Sequence, residues 1–276
     1  MYKRYEEQYL EAMRDVIENG YRDEGRNGFT RKLPNKIFEI NLWEEFPMLT
    51  TRKMYYKTAV KELLWMFRDH SNDVTKLQEQ NCHIWDLWVD ENNTIGKSYG
   101  YQVNNSGQFD QLLHDLKYNN QNRRMIVDLW NVKELPEMTL QPCVFCTVWD
   151  VCDVSKCVGK SEYPTNEKYL NCMLIQRSCD CPIGCPTDVM EYSLLVHMLA
   201  HVSGLKPGKL THCVTNWHVY ENQMEVAKEH LKRTPLENTA KVWINPDVKD
   251  FYDYKLDDIA IYGYQSLGAL KYPVSE

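Results

Sequence analysis

Apolar residues recur at intervals of three and four along several segments, which is the pattern of helices with a buried face. One segment ends at Gly20, a second covers residues 56–67, and a third surrounds Leu112. A further segment, residues 189–202, is apolar nearly all round and is closed by Gly204, so it predicts a central, buried helix. Marker positions of the first three helices are Tyr9, Leu10, Met13, Val16 and Ile17; Ala59, Val60, Leu63, Leu64 and Phe67; and Phe109, Leu112, Leu113 and Leu116.

Short apolar or alternating runs predict strands that are interleaved with these helices. Residues 22–27 are rich in Gly, Arg and Asn and predict an exposed loop, and the polar segment 153–168 predicts a long hairpin connection. With no internal repeat or linker, the order of elements favours one α+β domain over residues 1–276. The predicted strands cover residues 36–41, 125–130, 144–151, 169–176 and 210–215.

Composition narrows the class of protein. The 276 residues are 43% hydrophobic and carry a formal net charge of -7, which disfavours nonspecific nucleic-acid binding. No apolar run approaches the ~20 residues of a membrane span, and the first residues do not resemble a signal peptide. The ten cysteines are therefore expected to be reduced thiols of a cytoplasmic protein.

The strongest candidate nucleophile is Cys143, which follows Pro142 at the start of a predicted strand. The proline ring restricts the backbone there and can hold the thiol towards a cleft. The alternative is a buried structural thiol, the usual fate of an unpaired cysteine. Arg177 and Ser178, in the run Gln176-Arg177-Ser178-Cys179-Asp180, offer a forked cation and a hydroxyl for a phosphate. Arg177 can equally pair with Asp180.

Two further segments can contribute to an anion or sugar site. Arg123 and Arg124 are adjacent cations before a strand, and His218 and Tyr220 are spaced to lie on one side of an extended chain. Cys143 and Cys146 superficially resemble zinc ligands, as do the cysteines near residue 181. Along a strand, however, an odd offset points two side chains to opposite faces, so a zinc site is disfavoured.

In this order, these segments resemble thymidylate synthases over nearly the whole chain. The resemblance implies an α+β fold with a mixed sheet, flanking helices, a long buried central helix and a homodimer formed through the sheet face. It also implies 5,10-methylenetetrahydrofolate as co-substrate, a pyrimidine nucleotide as substrate and no metal. The matching runs are Phe46-Pro47-Met48-Leu49-Thr50-Thr51, Glu62-Leu63-Leu64-Trp65, Ile84-Trp85-Asp86 with Trp88, Arg123-Arg124, Pro142-Cys143, Gln176-Arg177-Ser178-Cys179-Asp180, His218-Val219-Tyr220 and Tyr272-Pro273-Val274.

The resemblance also implies roles for individual residues. Cys143 would add to C6 of the base, Arg177 would help to ionise it, and Glu62 would order water and relay protons. The phosphate would be held by Arg26, Arg177 and Ser178, with Arg123 and Arg124 reaching in from the other subunit, and the sugar by His218 and Tyr220. The folate site would contain Ile84, Trp85, Leu140, Asp180, Gly184 and Thr187.

Asp188 is the informative departure, because thymidylate synthases have asparagine there. An amide reads O4 and N3–H of uracil, whereas a protonated carboxyl can accept from the amino group of cytosine and donate to its N3. The same aspartate is a feature of phage deoxycytidylate hydroxymethylases. Alternatively, Asp188 and Glu191 form a capping box at the start of the buried helix.

Other departures concern the end of the reaction. Val144 replaces a histidine. Thr187 replaces a folate-facing phenylalanine, and this smaller side chain can loosen the pocket and admit water. The synthase-like C-terminal segment ends in the charged residue Glu276. We therefore expect a deoxycytidylate (dCMP) 5-hydroxymethylase that modifies nucleotides for a phage genome. The alternatives are a dCMP methylase, a thymidylate synthase that acts on deoxyuridylate (dUMP), and a non-catalytic nucleotide-binding protein.

Overall fold

The computed structural model describes residues 2–25 and 27–275. Helices in the first half are α1 (Tyr5–Asn19), α2 (Tyr56–Leu63), α3 (Thr75–Gln78), α4 (Gly100–Val103) and α5 (Gln108–Tyr118); α6 (Gly184–Ser203) and α7 (Met224–His230) follow. The strands are β1 (Tyr21–Gly25), β2 (Gly28–Asn41), β3 (Ile126–Asp128), β4 (Val144–Asp153), β5 (Lys168–Asp180), β6 (Lys206–Tyr220), β7 (Lys241–Ile244) and β8 (Ile259–Tyr262).

Most strands belong to one mixed sheet. Within the described residues its order is β1-β2-β6-β5-β4-β3, with β5 and β6 parallel and the other neighbours antiparallel; β7 and β8 form a separate pair. The parallel pair requires a crossover, and α6 provides it. The expected mixed sheet with flanking helices is confirmed.

The central helix is the predicted one, but it begins earlier. α6 starts at Gly184 rather than near Val189, and Pro186 lies in its first turn. Proline is tolerated there because the first N–H groups of a helix have no partner within it. Asp188 therefore lies inside the helix and not at its N-terminus, so the capping-box interpretation is wrong.

Other predicted elements are confirmed with shifted bounds. The helix at residues 56–67 leaves α geometry after Leu63 and continues as a π-helical turn, Leu64–Arg68. Residues 125–130 contribute only the short strand β3. The polar segment 153–168 connects two antiparallel strands, as predicted.

The predicted loop at residues 22–27 is wrong over most of its length. Residues up to Gly25 form β1, an exposed strand paired with β2 from Tyr21↔Lys32 to Gly25↔Gly28. An exposed edge strand has no apolar face, so hydrophobic alternation could not indicate it. Backbone pairing and the ion pair of Arg22 with Glu221 hold it instead.

The sheet has an inner face under α6 and a partly exposed outer face. Phe38, His212 and Leu174 are paired across three strands and are all buried, so this row lies inside. The row of Ile37, Cys213, Ile175 and Cys146 lies on the opposite side, where Ile37 is exposed. Cys146 and Cys213 are therefore small apolar residues of the outer face rather than core thiols.

A buried carboxylate fixes α1 to the rest of the core. Glu6 accepts hydrogen bonds from the backbone N–H groups of Thr50 and Thr51, both at 2.8 Å. The two threonine hydroxyls also donate to it, at 2.7 and 2.6 Å. Because a carboxylate can only accept, it suits a site where every neighbour is a donor.

We predict that Glu6→Gln lowers the free energy of unfolding by about 2–4 kcal/mol, because an amide NH2 would face buried donors. Urea denaturation measures this change. The matched variant Glu11→Gln alters an exposed ion pair with Lys3 and should change stability by about 0.5 kcal/mol or less. Equal stability of the two variants would contradict the assignment of Glu6.

Candidate active site

A cleft of about 560 Å³ opens at the end of the large sheet where β5 and β6 terminate. It is bordered by the β1–β2 hairpin, the segment before β4, the first turn of α6 and the C-terminal residues. The lining residues include Asn27, Thr30, Trp88, Leu140, Gln141, Cys143, Arg177, Ser178, Asp180, Gly184, Asn216, His218, Tyr220, Val274 and Ser275.

Cys143 immediately precedes β4, and hydrogen bonds to both its backbone N–H and its carbonyl hold it in place. Its backbone N–H donates to the Tyr99 hydroxyl at 3.0 Å, and its carbonyl accepts from the Arg177 N–H at 2.9 Å. Tyr99 has a φ of 37°, a region that side chains other than glycine rarely adopt. This strained residue therefore contacts the segment of Cys143, the candidate nucleophile, directly.

Arg177 fixes the backbone before Cys143 and places a positive charge beside its thiol. Its Nε and Nη2 donate to the carbonyls of Pro142 and Gln141 at 2.9 and 2.8 Å, which fixes the segment before Cys143. The same Nη2 lies 3.8 Å from Cys143 Sγ. A cation at this distance favours the thiolate, the nucleophilic form of cysteine. The structure thus places Arg177 beside the thiol, and its role in ionising Cys143 stays a prediction.

The sugar-site candidates lie together at the end of β6. The rings of His218 and Tyr220 are 5.1 Å apart, and His218 Nδ1 contacts Asn216 Oδ1 at 3.1 Å. Burial lowers the pKa of His218 to about 4, so the ring is neutral near pH 7. A neutral imidazole can donate from one nitrogen and accept at the other, which suits a hydroxyl partner.

Asp180 faces the cleft from the end of β5. Its Oδ2 accepts from Gln223 Nε2 at 2.8 Å and its Oδ1 from the Ile183 N–H at 3.2 Å. Burial raises the pKa of this carboxyl to about 6, while the hydrogen bonds and the charge of Arg52 oppose that rise. Asp180 can therefore be an anionic acceptor near neutral pH.

Carboxyl groups that are not among the described residues lining the cleft, Glu62, Asp188 and Glu191, gather around the first half of α6. Trp85 Nε1 donates to Glu62 Oε1 at 2.9 Å, and burial, aided by the charge of Asp188, raises the pKa of Glu62 to about 8. Glu191 is buried beneath them, and its Oε1 has no hydrogen-bond partner among the described residues. Burial, with Glu62 and Asp188 nearby, raises the pKa of Glu191 well above its usual range.

Asp188 belongs to a hydrogen-bonded row that crosses the inner face of the sheet. Gln176 Nε2 donates to Asp188 Oδ2 at 2.8 Å, and Gln176 Oε1 lies 2.7 Å from His212 Nε2. Alternation along β5 sends Gln176 towards α6 and Arg177 to the other side. Burial raises the pKa of Asp188 to about 7, with Gln176 and His212 opposing the shift.

Of the remaining candidates, only Leu140 and Gly184 are among the described residues that line the cleft. Arg123 and Arg124 are exposed in the turn before β3 and are not among the residues that line this cleft, and Arg26 lies outside the described residues. Ile84 is partly buried, Trp85 is turned towards Glu62, and the Thr187 hydroxyl donates to the Ile183 carbonyl at 3.1 Å.

Several site residues were missed at the level of sequence. Tyr99, His212 and Gln223 have no local motif that marks them, and only contacts with residues far away in the chain place them at the site. Glu191 was marked only as part of the capping box, and its nearness to Glu62 is evident only in the structure. Gln176 belongs to a recognised motif. Because neighbouring residues of a strand point to opposite faces, its position next to Arg177 could have predicted that Gln176 points towards α6.

The described residues provide two general findings. None of their helices is both long enough and apolar enough to cross a membrane. Across 2–25 and 27–275, no group of three or more His, Cys, Asp and Glu side chains is arranged to hold a metal ion. The cysteine pairs that superficially resembled zinc ligands thus do not assemble such a site in this part of the chain.

Known proteins resemble this chain over almost its full length. The sequence profile described as thymidylate synthase matches residues 7–276. A thymidylate synthase of Clostridium beijerinckii is 47% identical over 273 residues, covering 98% of both chains, and thymidylate synthase 1 of Bacillus spizizenii is 35% identical over 98% of this chain and 99% of its own. The solved thermostable thymidylate synthase A of Bacillus subtilis has a TM-score of 0.86 at 35% identity and covers 99% of both chains.

The buried carboxyls make stability depend on pH. Their folded pKa values, about 8 for Glu62 and about 7 for Asp188, exceed the value of about 4 expected in an unfolded chain. The folded state therefore binds more protons between about pH 4 and pH 8, so the free energy of unfolding falls as pH rises through this window. We predict that Glu62→Gln and Asp188→Asn each flatten this slope.

Urea unfolding at pH 5, 6, 7 and 8 measures the slope for each variant. Glu237 is exposed, so Glu237→Gln should keep the wild-type slope. Wild-type slopes in both active-site variants would show that these carboxyls are not protonated on folding.

Arg177 should control the reactivity of Cys143. We predict that Arg177→Gln slows alkylation of Cys143 by iodoacetamide at pH 7 about threefold to tenfold, because the thiolate loses its cation. Arg177→Lys keeps the charge and should retain more of the rate. Mass spectrometry of tryptic peptides measures the rate, with exposed Cys157 as the internal reference. An unchanged Cys143 rate in Arg177→Gln would refute the electrostatic role.

Proposed function

The chain belongs to the thymidylate synthase family, and we propose that within this family it is a dCMP 5-hydroxymethylase. Family membership establishes a coarser activity, the folate-dependent transfer of a one-carbon unit to C5 of a pyrimidine nucleotide, with 5,10-methylenetetrahydrofolate as co-substrate. The choice of cytosine and of the hydroxymethyl product is the proposal.

The observation that carries the choice of cytosine is the carboxyl of Asp188, which stands where thymidylate synthases have an amide and contacts Gln176. Because Gln176 Nε2 donates to Oδ2, that oxygen is an acceptor, and a proton on the carboxyl belongs on Oδ1. Neutral Asp188 then presents one donor and one acceptor. We propose that Oδ2 also accepts from the 4-amino group of cytosine, while Oδ1–H donates to N3.

The environment of Asp188 supports this protonation. The carboxyl lies inside α6 and is not needed as a helix cap, so a folding role at the helix N-terminus does not account for it. Its pKa of about 7 means that the neutral form is well populated near neutral pH. Each mismatched buried polar contact costs about 1–3 kcal/mol, so two contacts can set a preference of about a hundredfold.

The chemistry assigned to the chain follows from Cys143. Its thiolate forms a bond to C6 of the base, which makes C5 a carbon nucleophile, and C5 bonds to the one-carbon unit that methylenetetrahydrofolate supplies when bound. Glu62, through ordered water, takes the C5 proton while the remaining bond between the one-carbon unit and a folate nitrogen breaks, so tetrahydrofolate leaves and an exocyclic methylene remains on C5. Water then adds to the exocyclic carbon, the C5–C6 double bond re-forms and the C6–Sγ bond breaks. Tetrahydrofolate is the second product, and no hydride is consumed.

The surroundings of the cleft fit the two ligands. Leu140 in the lining of the cleft offers apolar surface for a pterin, and Asp180 offers an acceptor for its N–H groups. Arg177 and Ser178 offer donors for the phosphate, and His218 and Tyr220 offer polar atoms for the sugar hydroxyl.

A homodimer would complete the phosphate site. The outer face of the large sheet carries the exposed apolar residues Ile37, Met173 and Ile126, which a partner subunit would cover. We propose that Arg123 and Arg124, exposed beside this face, reach the phosphate of the partner subunit.

A thymidylate synthase acting on dUMP is the second candidate. The relatives reported above carry that name, and reversing the two Asp188 oxygens would let Oδ1–H donate to O4 while Oδ2 accepts from N3–H. Sequence identity to proteins named thymidylate synthase thus favours dUMP as the substrate, whereas the carboxyl of Asp188 in place of an amide favours dCMP.

Turnover decides between the candidates. We predict that with methylenetetrahydrofolate the protein converts dCMP to hydroxymethyl-dCMP without dihydrofolate, as measured by product mass and by folate chromatography. We also predict that Asp188→Asn moves kcat/KM towards dUMP by about a hundredfold. Asp257→Asn, an exposed control, should leave the preference unchanged.

Each other product identifies an alternative. Methyl-dCMP with dihydrofolate would indicate a dCMP methylase. Turnover of dUMP alone would overturn cytosine recognition, and binding without turnover would indicate a non-catalytic protein. An unchanged preference in Asp188→Asn would exclude Asp188 as the residue that reads the base.

A further inference from the structure

The C-terminal segment, defined here as residues 269–275, lies across the mouth of the cleft. Val274 and Ser275 line the cleft, and the Ser275 carbonyl accepts from Asn27 Nδ2 at 3.2 Å. Gln223 Nε2 donates both to the Pro273 carbonyl, at 3.1 Å, and to Asp180 Oδ2, at 2.8 Å. The segment is therefore joined to a carboxylate of the site through one amide.

Tyr272 points away from the cleft and into the core. Its hydroxyl lies 2.9 Å from Nδ1 of His230, a fully buried histidine at the end of α7. His230 Nε2 lies 2.7 Å from Thr51 Oγ1, which donates to Glu6 Oε1 at 2.6 Å. A continuous row of hydrogen bonds thus runs from the C-terminal segment to α1.

The chemistry of these groups fixes the direction of every bond in the row. Glu6 can only accept, so Thr51 gives its one hydroxyl proton to Glu6 and must accept from His230 Nε2–H. The remaining nitrogen of a neutral imidazole, Nδ1, then accepts from the Tyr272 O–H. Tyrosine can donate there, whereas phenylalanine cannot.

The charges around His230 keep the ring neutral. Burial, followed by the positive charges of Arg52 and Arg233, lowers the pKa of His230 to about 3. Burial also raises the pKa of Tyr272, so its hydroxyl keeps its proton. Arg52 lies 5.3 Å from the centre of the Tyr272 ring, which adds a cation–π contact to the same attachment.

We propose that Tyr272 and His230 are positioning residues that hold the C-terminal segment over the cleft by anchoring it, through Thr51, to Glu6. Neither residue lines the cleft in the part of the chain that the structure describes. Their influence on the site passes through Pro273 and Gln223 to Asp180. The proposal rests on the proposed function only where a folate measurement is used.

Trypsin cleavage after Lys271 tests the attachment without any substrate. Lys271 is exposed, and cleavage there requires the following residues to leave their site. We expect Tyr272→Phe and His230→Leu to speed the loss of residues 272–276 about fivefold or more, because one hydrogen bond of the row is removed. Intact mass against time measures the rate.

Three comparisons make this test specific. His230→Gln keeps an acceptor and a donor and should restore much of the wild-type rate. Tyr262→Phe changes an exposed tyrosine and should cleave like the wild type. Cleavage after exposed Lys160, in the 153–168 hairpin, should be equal in all variants, which controls for general unfolding.

Steady-state kinetics provide the second measurement. We expect Tyr272→Phe to raise KM for methylenetetrahydrofolate about fivefold to tenfold, with the nucleotide Kd unchanged. Wild-type cleavage after Lys271 in both Tyr272→Phe and His230→Leu would overturn the proposal, as would a higher KM without faster cleavage. Because cleavage needs no substrate, failure of the proposed reaction would leave this test intact.

Discussion

The packing of α6 against the inner face of β5 and β6 brings together groups that would otherwise be far apart. α6 is apolar nearly all round and carries the buried Glu191 and the half-buried Asp188. From the sheet, Gln176 donates to Asp188 and contacts His212. A buried carboxyl without a donor is costly, so the partner that the sheet supplies determines which protonation states are accessible. The protonation of Asp188 therefore depends on how this helix lies on this sheet.

The positions and protonation of the charged groups explain how an acidic protein can bind an anion, even though Asp180 also faces the cleft. Arg177 lies at the open end, beside the thiol of Cys143. Glu62, Asp188 and Glu191 lie deeper, and their raised pKa values mean that much of their formal negative charge is absent near neutral pH. The net charge of -7 thus overstates the repulsion that a phosphate would meet in the cleft.

Both ends of the chain contribute to the site through buried polar bonds. Glu6 in α1 orders Thr51, and the same threonine connects to His230 and Tyr272. The carboxylate of Glu6 can only accept hydrogen bonds. It therefore fixes which group is the donor in each of the other hydrogen bonds, up to Tyr272. In this way Glu6, which is far from the cleft, influences the C-terminal segment that lies over the cleft.

The sequence by itself determined the elements with strong periodicity, the nucleophile candidate and the family, because helical spacing, strand alternation and ordered motifs are local properties. Tertiary structure decided what the local pattern left ambiguous. Residues 22–25 form an edge strand whose stability comes from pairing with β2, and Asp188 lies inside α6 because a proline is tolerated in a first turn. The contacts of Asp188 with Gln176 and of Tyr272 with His230 join residues distant in the chain. Periodicity assigns a side chain to a face, but strand register and helix position decide which partner it meets there.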